Sequence, residues 1–349
     1  MARRSAVTIM RSSQRLSDLG SYAFDELDRL RDARRAAGVD VIDFGVGDPT
    51  EPTPDVVVEA ARTGLEQHRR AGYPPYRGGA AYRRAVAAWL RRRHGVQVDP
   101  DAQVASTVGS KEAVFHLPAA FLDPGDVVLV PSPGYPPYSA GARFVGARVV
   151  PYAVWPEGEG AALPDLDALP EDVVARLRMV WITQPHVPTG RVADRQALER
   201  LVAQCRARDV LLCSDEAYSE LWFDTPPVSA LELGADGVLV VQSLSKRAAM
   251  TGYRVGFVAG DAEAVRIFLA LKTQIDSGTP LFIQDAAMAA LADDTAPATA
   301  RAAFAERAEV LVPALRASGC RLDHPQAGFY LWARVPGGDG VAFARRLLE

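Results

Sequence analysis

From residue 54 to 260, short apolar runs alternate with stretches of helical periodicity, and this alternation narrows the possible folds first. The runs are VVLVP from 127, RMVWIT from 178, VLLCSDE from 210, VLVVQS from 238 and YRVGFVAG from 253. Residues 54–69, 79–94, 110–122 and 192–208 separate or precede them and carry apolar positions at helical spacing. Strands this continuously apolar are buried on both faces. With helices between them, they predict an α/β fold with a mostly parallel central sheet covered on both sides.

The flanks read differently. Phe24, Leu27, Leu30, Ala33 and Ala37 predict a helix over 17–37, VDVIDFGVG a strand running into a glycine turn, and Thr53-Pro54 a helix start. Beyond 261 come long Ala-rich helical stretches (261–275, 281–292, 297–317), a strand-like LDHPQAGFYLWARV and a last helical piece. A chain of 349 residues exceeds the usual size of one core, so a second, smaller α+β domain is expected. The expected division is residues 1–48 packing with the small domain, 49–280 as the large domain and 281–349 as the small one.

Composition removes several functional classes. At 48% hydrophobic and 23% charged residues the chain is an ordinary globular protein, and a net charge of −4 gives no field to recruit nucleic acid. Three cysteines without CxxC spacing indicate neither a disulfide framework nor a cysteine zinc site. No metal site is expected. MARRSAVTIM lacks the apolar core of a secretory signal, and no apolar run reaches the roughly 20 residues of a membrane span. A cytoplasmic location is expected.

The segment with the most chemistry is SLSKRAAMTGYRVGF, residues 243–257, just past a buried-type strand, where open α/β sheets bind ligands. Ser243, Ser245 and Arg254 suit a phosphate, and Lys246 set among them suits capture of a carbonyl as a Schiff base. In DEAYSEL, Asp215 ends an apolar run and Tyr218 follows three residues on. A buried carboxylate there needs a cationic partner, and a protonated pyridine nitrogen is one. In TVGSKEAVFHL, Gly109 and Ser110 open a helix whose N-terminus is an anion site, or a plain cap.

These segments, together with GVGDPTEPTP, YPPYRGGAAYRRAVA, PGYPPY, PTG and GFYLW, stand in the order and approximate spacing of the class I aminotransferases. The chain resembles that family along nearly its whole length. The resemblance implies the fold of the fold type I enzymes dependent on pyridoxal 5′-phosphate (PLP). Within the family, YPPYRG, GSKEA, KRAAMTGYRVGFVAGD and GTPLFIQDAA look most like N-succinyl-diaminopimelate aminotransferases of lysine biosynthesis.

The resemblance also implies roles. Lys246 carries the cofactor and moves the substrate proton, Asp215 holds the ring nitrogen protonated, and Tyr218 bonds the phenolic oxygen. Gly109, Ser110, Lys111, Ser243, Ser245 and Arg254 hold the phosphate, with Tyr73 reaching in from a neighbouring subunit. Tyr135 stacks on the ring, and Gly47 lets the substrate carboxylate approach the backbone. The implied partners are an amino acid, a 2-oxo acid such as 2-oxoglutarate, and a second copy of the chain in a homodimer.

Two departures stand out. The family's Asn-Pro-Thr-Gly is HVPTG here, so Val187 occupies the asparagine position and cannot donate to the phenolic oxygen. The neighbouring His186 is the candidate substitute. The second departure is the end at ARRLLE, where the family is expected to continue into an arginine that clamps the α-carboxylate. Arg334, Arg345 and Arg346 are expected to face solvent instead. Two other readings stay open: a PLP enzyme of another reaction type, or an impaired PLP binder. A remote third is a serine acyl-enzyme, since Ser243 to Lys246 spells S-x-x-K.

Overall fold

The computed structural model describes residues 10–19, 25–45, 47–154 and 163–348. The strands among these residues are β1 (Val104–Thr107), β2 (Val127–Ser132), β3 (Arg148–Ala153), β4 (Leu177–Thr183), β5 (Leu211–Asp215), β6 (Val238–Ser243) and β7 (Gly256–Gly260). They form one sheet in the order β1-β7-β6-β5-β4-β2-β3. Strands β2 to β6 run parallel, while β7 is antiparallel to both β6 and β1. The fold is the mostly parallel sheet with covering helices of the fold type I transferases.

Along each central strand alternate side chains enter different cores. Leu129, Val180, Ile182, Val238 and Val240 join one apolar cluster, and Val128, Val130, Met179, Trp181, Leu239 and Val241 join the other. This two-sided burial explains why the strands read as unbroken apolar runs.

The helices are α1 (Gln14–Ser17), α2 (Asp25–Ala36), α3 (Asp55–Gln67), α4 (Ala80–His94), α5 (Ser110–Phe121), α6 (Pro136–Phe144), α7 (Glu171–Val174), α8 (Arg195–Arg206), α9 (Leu244–Arg247), α10 (Ala262–Lys272), α11 (Leu281–Ala292), α12 (Thr295–Ala317) and α13 (Gly340–Leu348). Side chains cap several of them: Asp194 accepts from the Ala197 amide at 2.8 Å and Asp261 from the Ala264 amide at 2.9 Å. Helix α11 lays Ala286, Ala287, Ala290 and Leu291 into the first cluster, whereas Val312, Cys320 and Leu322 form a small separate core.

Four sequence expectations are corrected. The helix over 17–37 is α2 preceded by the single turn α1, with Phe24 outside the described residues. Residues 39–45 form no strand, and Ile42 and Phe44 are exposed; Val46 lies outside the described residues. LDHPQAGFYLWARV supplies only isolated bridges among the described residues, Trp222 to Ala327 and Arg321 to Arg334. Helix α3 starts at Asp55, with Pro54 at the N-cap rather than the first helical position, and the Thr53 hydroxyl donates to the Ala249 carbonyl at 2.7 Å.

Candidate active site

The chemistry-bearing segments meet where β4, β5 and β6 end, the carboxyl edge at which parallel sheets leave backbone free for ligands. Register explains the grouping. Gly256 pairs with both Thr107 and Ser243, so the ends of β1 and β6 and the start of β7 lie side by side.

A phosphate-sized cradle follows. Gly109 has φ +74, a left-handed backbone that favours glycine, and no side chain caps the start of α5. A Cβ at Gly109 would lie 2.4 Å from Arg254 Nη2. The guanidinium therefore rests against the bare helix N-terminus, positive charge beside a positive dipole end, an arrangement suited to an anion between them. Arg254 itself adopts φ 54 and anchors through Nη1 to the Thr251 carbonyl at 2.8 Å. Ser243 and Ser245 are buried beside it, the Ser243 hydroxyl accepting from the Ser245 amide at 3.2 Å. Ser110 is half-buried, while the Lys111 side chain faces outward, leaving its backbone as its contribution here.

Asp215 ends β5 and is 6% exposed. Oδ2 accepts from the Tyr138 hydroxyl at 2.8 Å, and Oδ1 from the Ala217 amide at 3.1 Å. Tyr138 also meets Thr183 Oγ1 at 3.0 Å, and Tyr135 packs edge-on against Tyr138 at 5.7 Å. Among the described residues no cation pairs with Asp215, and burial pushes its carboxyl above the usual range despite those two donors. A buried carboxylate so placed fits a protonated heterocyclic nitrogen.

Lys246 is half-buried on α9, and its Nζ donates to the Gly47 carbonyl. Burial holds its ammonium below the ordinary lysine range, opposed by Asp48 and reinforced by Arg254. Phe329 and Tyr218 wall the amine, with Nζ 5.3 Å and 6.0 Å from their ring centres. The Tyr218 hydroxyl lies 3.5 Å from that of Tyr330. Burial raises its phenol well above the ordinary range. Gly47 has a packing reason to be glycine: a Cβ there would sit 1.8 Å from Tyr330 Oη and 2.8 Å from Phe329.

Sequence reading missed Tyr138, Thr183, Phe329 and Tyr330. Two signals were present, the three-residue spacing of Tyr135 and Tyr138 that puts both on one helix face, and the GFYLW run. Tyr73 stands apart from these groups, and the loop after β4 carries the other two residues of interest. Tyr73 is 91% exposed, Val187 is half-buried in the loop after β4, and His186 is buried within that loop, its Nδ1 2.8 Å from Thr189 Oγ1. The loop thus holds Nδ1, while Nε2 is buried with no hydrogen-bond partner among the described residues, so His186 keeps one ring nitrogen for the substitute role. Ser243 caps α9 while Lys246 turns to Gly47, so the two form no S-x-x-K nucleophile and base pair.

An amine, an uncompensated buried carboxylate and a glycine-opened anion cradle together suit PLP. Known proteins agree. Residues 39–349 match the family described as aminotransferase class I and II. The chain is 41% identical to the LL-diaminopimelate aminotransferase of Gloeobacter violaceus, the match covering 97% of this chain and 88% of that protein. It is 43% identical to that of Desulforudis audaxviator, covering 97% and 87%. The solved aspartate aminotransferase from Thermus thermophilus with maleate superposes at TM-score 0.88 and 32% identity, over 97% of this chain and 90% of that one. The chain belongs to the class I and II aminotransferases and is a PLP-dependent enzyme.

Proposed function

We propose that the enzyme takes its amino group from LL-diaminopimelate, with 2-oxoglutarate as the partner oxo acid. The observation that carries the site reading is the convergence of Lys246, Asp215 and Arg254 on one sheet edge, drawn from three separate segments. The substrate reading draws on the relatives that bear that name at about 40% identity over nearly the whole chain. It is preferred to the succinylated donor that the sequence resemblance pointed to.

When bound, PLP supplies an electron-withdrawing ring that stabilises negative charge at the substrate Cα. Asp215, oriented by Tyr138 and Ala217, keeps a proton on the ring nitrogen. The cradle of Gly109, Ser110, Lys111, Ser243, Ser245 and Arg254 would hold the phosphate, and Tyr135 would supply an aromatic face for the ring. Tyr218 orients the phenolic oxygen, with Val187 adding only methyl groups. Lys246 would then hold and return the Cα proton at Nζ, a task that burial favours by lowering its pKa from the ordinary lysine range. Gly47 presents its carbonyl to that amine.

The test is a half-reaction screen by absorbance of the bound cofactor. LL-diaminopimelate, N-succinyl-LL-diaminopimelate, aspartate and glutamate are each mixed with the loaded enzyme. LL-diaminopimelate is expected to convert the cofactor to its amine form fastest among the first three. A faster reaction with the succinylated compound reverses the donor assignment, and no conversion by any amino acid overturns the transamination itself.

A further inference from the structure

We infer that Arg247 and Glu220 are a positioning pair, which sets the lysine amine of Lys246 against Tyr218 and Asp215 from behind the site. Lys246 sits on α9, a single turn, and one turn has no stability of its own. Something outside the turn must fix it. Arg247, the next residue, is 3% exposed and spends its donors on three other parts of the chain.

Its Nη1 pairs with Glu220 Oε2, and its Nη2 donates to the Asp293 carbonyl and to Asp294 Oδ1, each at 2.8 Å. Its Nε reaches the Ala290 carbonyl at 3.3 Å, and the guanidinium lies 5.5 Å from the Trp89 ring centre. The cation thereby meets the carboxyl end of α11, where the helix dipole favours it.

Glu220 is the other half. It lies two residues past Tyr218 in the stretch that begins at Asp215 and is 6% exposed. Its Oε1 accepts from Arg93 Nε at 2.7 Å, and its backbone carbonyl accepts from Arg301 Nη1 at 3.1 Å. So the Lys246 turn and the Asp215–Tyr218 stretch are clamped together, and both are tied to α4, α11 and α12. Both residues direct these bonds to each other and to α4, α12 and the end of α11, not to Lys246, Asp215 or Arg254. A planar fork held at four acceptors allows little rotation, and a shift of about 1 Å in a reacting group is costly.

The inference rests on Lys246 being the cofactor-bearing residue. Borohydride reduction of the wild-type holoenzyme followed by peptide mapping checks that premise on its own. The pair is tested in two variants, Glu220→Met/Arg247→Met, which removes both charges together so that neither is left buried alone, and Arg247→Lys, which keeps the charge without the fork. Each holoenzyme is measured for kcat, KM, thermal midpoint and the pH midpoint of the bound cofactor's visible band.

The double variant is expected to keep its KM within about threefold and lose roughly 10- to 100-fold in kcat, with the pH midpoint displaced. Arg247→Lys should recover part of both. A purely structural pair would move the thermal midpoint alone, so a loaded double variant with unchanged kcat and pH midpoint overturns the inference. If the double variant does not fold, Arg247→Lys with both quantities unchanged overturns it equally. Label on another lysine would remove the premise, and the site reading with it.

Discussion

Val187 is the residue at which, by the resemblance, this chain departs from its family's cofactor site, and the expected consequence is directional. The resemblance places an asparagine there as a donor to the phenolic oxygen; a valine offers none, so on that reading Tyr218 would polarise the oxygen alone. A donor restored by Val187→Asn stabilises the deprotonated form. The pH midpoint of the bound cofactor's visible band should therefore fall by about one unit, with kcat preserved or raised. Loss of activity would mean that Val187 is a packing residue and that the loop's roles are misaligned. Lys246, Asp215 and Arg254 were legible because each stands out against an apolar strand end. Tyr138 and Tyr330 were not, because their local signals, the Tyr135–Tyr138 spacing and the GFYLW run, do not name partners that lie 77 and 112 residues away. The Glu220–Arg247 pair hid for the same reason, two ordinary charges that meet only after folding.

At the scale of elements, the buried strands announced themselves, whereas β3 did not. It is the edge strand, half-exposed and interrupted by Pro151, so it lacks the apolar run that marks the centre of the sheet. VDVIDFGVG misled in the opposite sense, since apolar content without a neighbouring strand makes no sheet. The loop after β4 carries its own pH dependence. Burial lowers the His186 imidazole to about 4, against about 6.5 in the unfolded chain, so the fold holds the neutral ring. Because the folded value is depressed, this stability is present above about pH 6.5 and is lost as the pH falls toward 4, by roughly 2 kcal/mol between pH 7 and pH 5. His186→Gln, which stays neutral throughout, should show a shallower loss in urea unfolding over that interval. An identical acid loss in the variant would mean that other groups carry it.

The whole molecule adds a feature that no single segment contains. The YPPYRG loop is anchored at its root beside the cradle: the Ser106 amide donates to the Arg77 carbonyl at 2.9 Å, and the Gly79 amide to Gln284 Oε1 at 2.7 Å. Gly278 packs against Pro75 and Tyr76 from the far side. Beyond this root Tyr73 is 91% exposed, and Tyr76 of the same loop is 44% exposed. An exposed aromatic hydroxyl on an anchored loop is what the homodimer implied by the resemblance would use, so the expectation is that Tyr73 serves the site of a second chain. The expectation is tested by complementation between Lys246→Ala, which lacks the amine, and Tyr73→Ala, which lacks the donated hydroxyl. In a two-fold dimer of the two variants, one site combines the intact Lys246 of one chain with the intact Tyr73 of the other, and the second site lacks both. An equimolar mixture that has exchanged subunits should therefore recover about a quarter of wild-type activity, since half the dimers are hybrid and each hybrid has one complete site. Tyr73→Ala must be impaired alone for this to hold. Full activity of that variant, or a mixture no more active than the sum of its parts, would show that Tyr73 does not reach across to a second subunit.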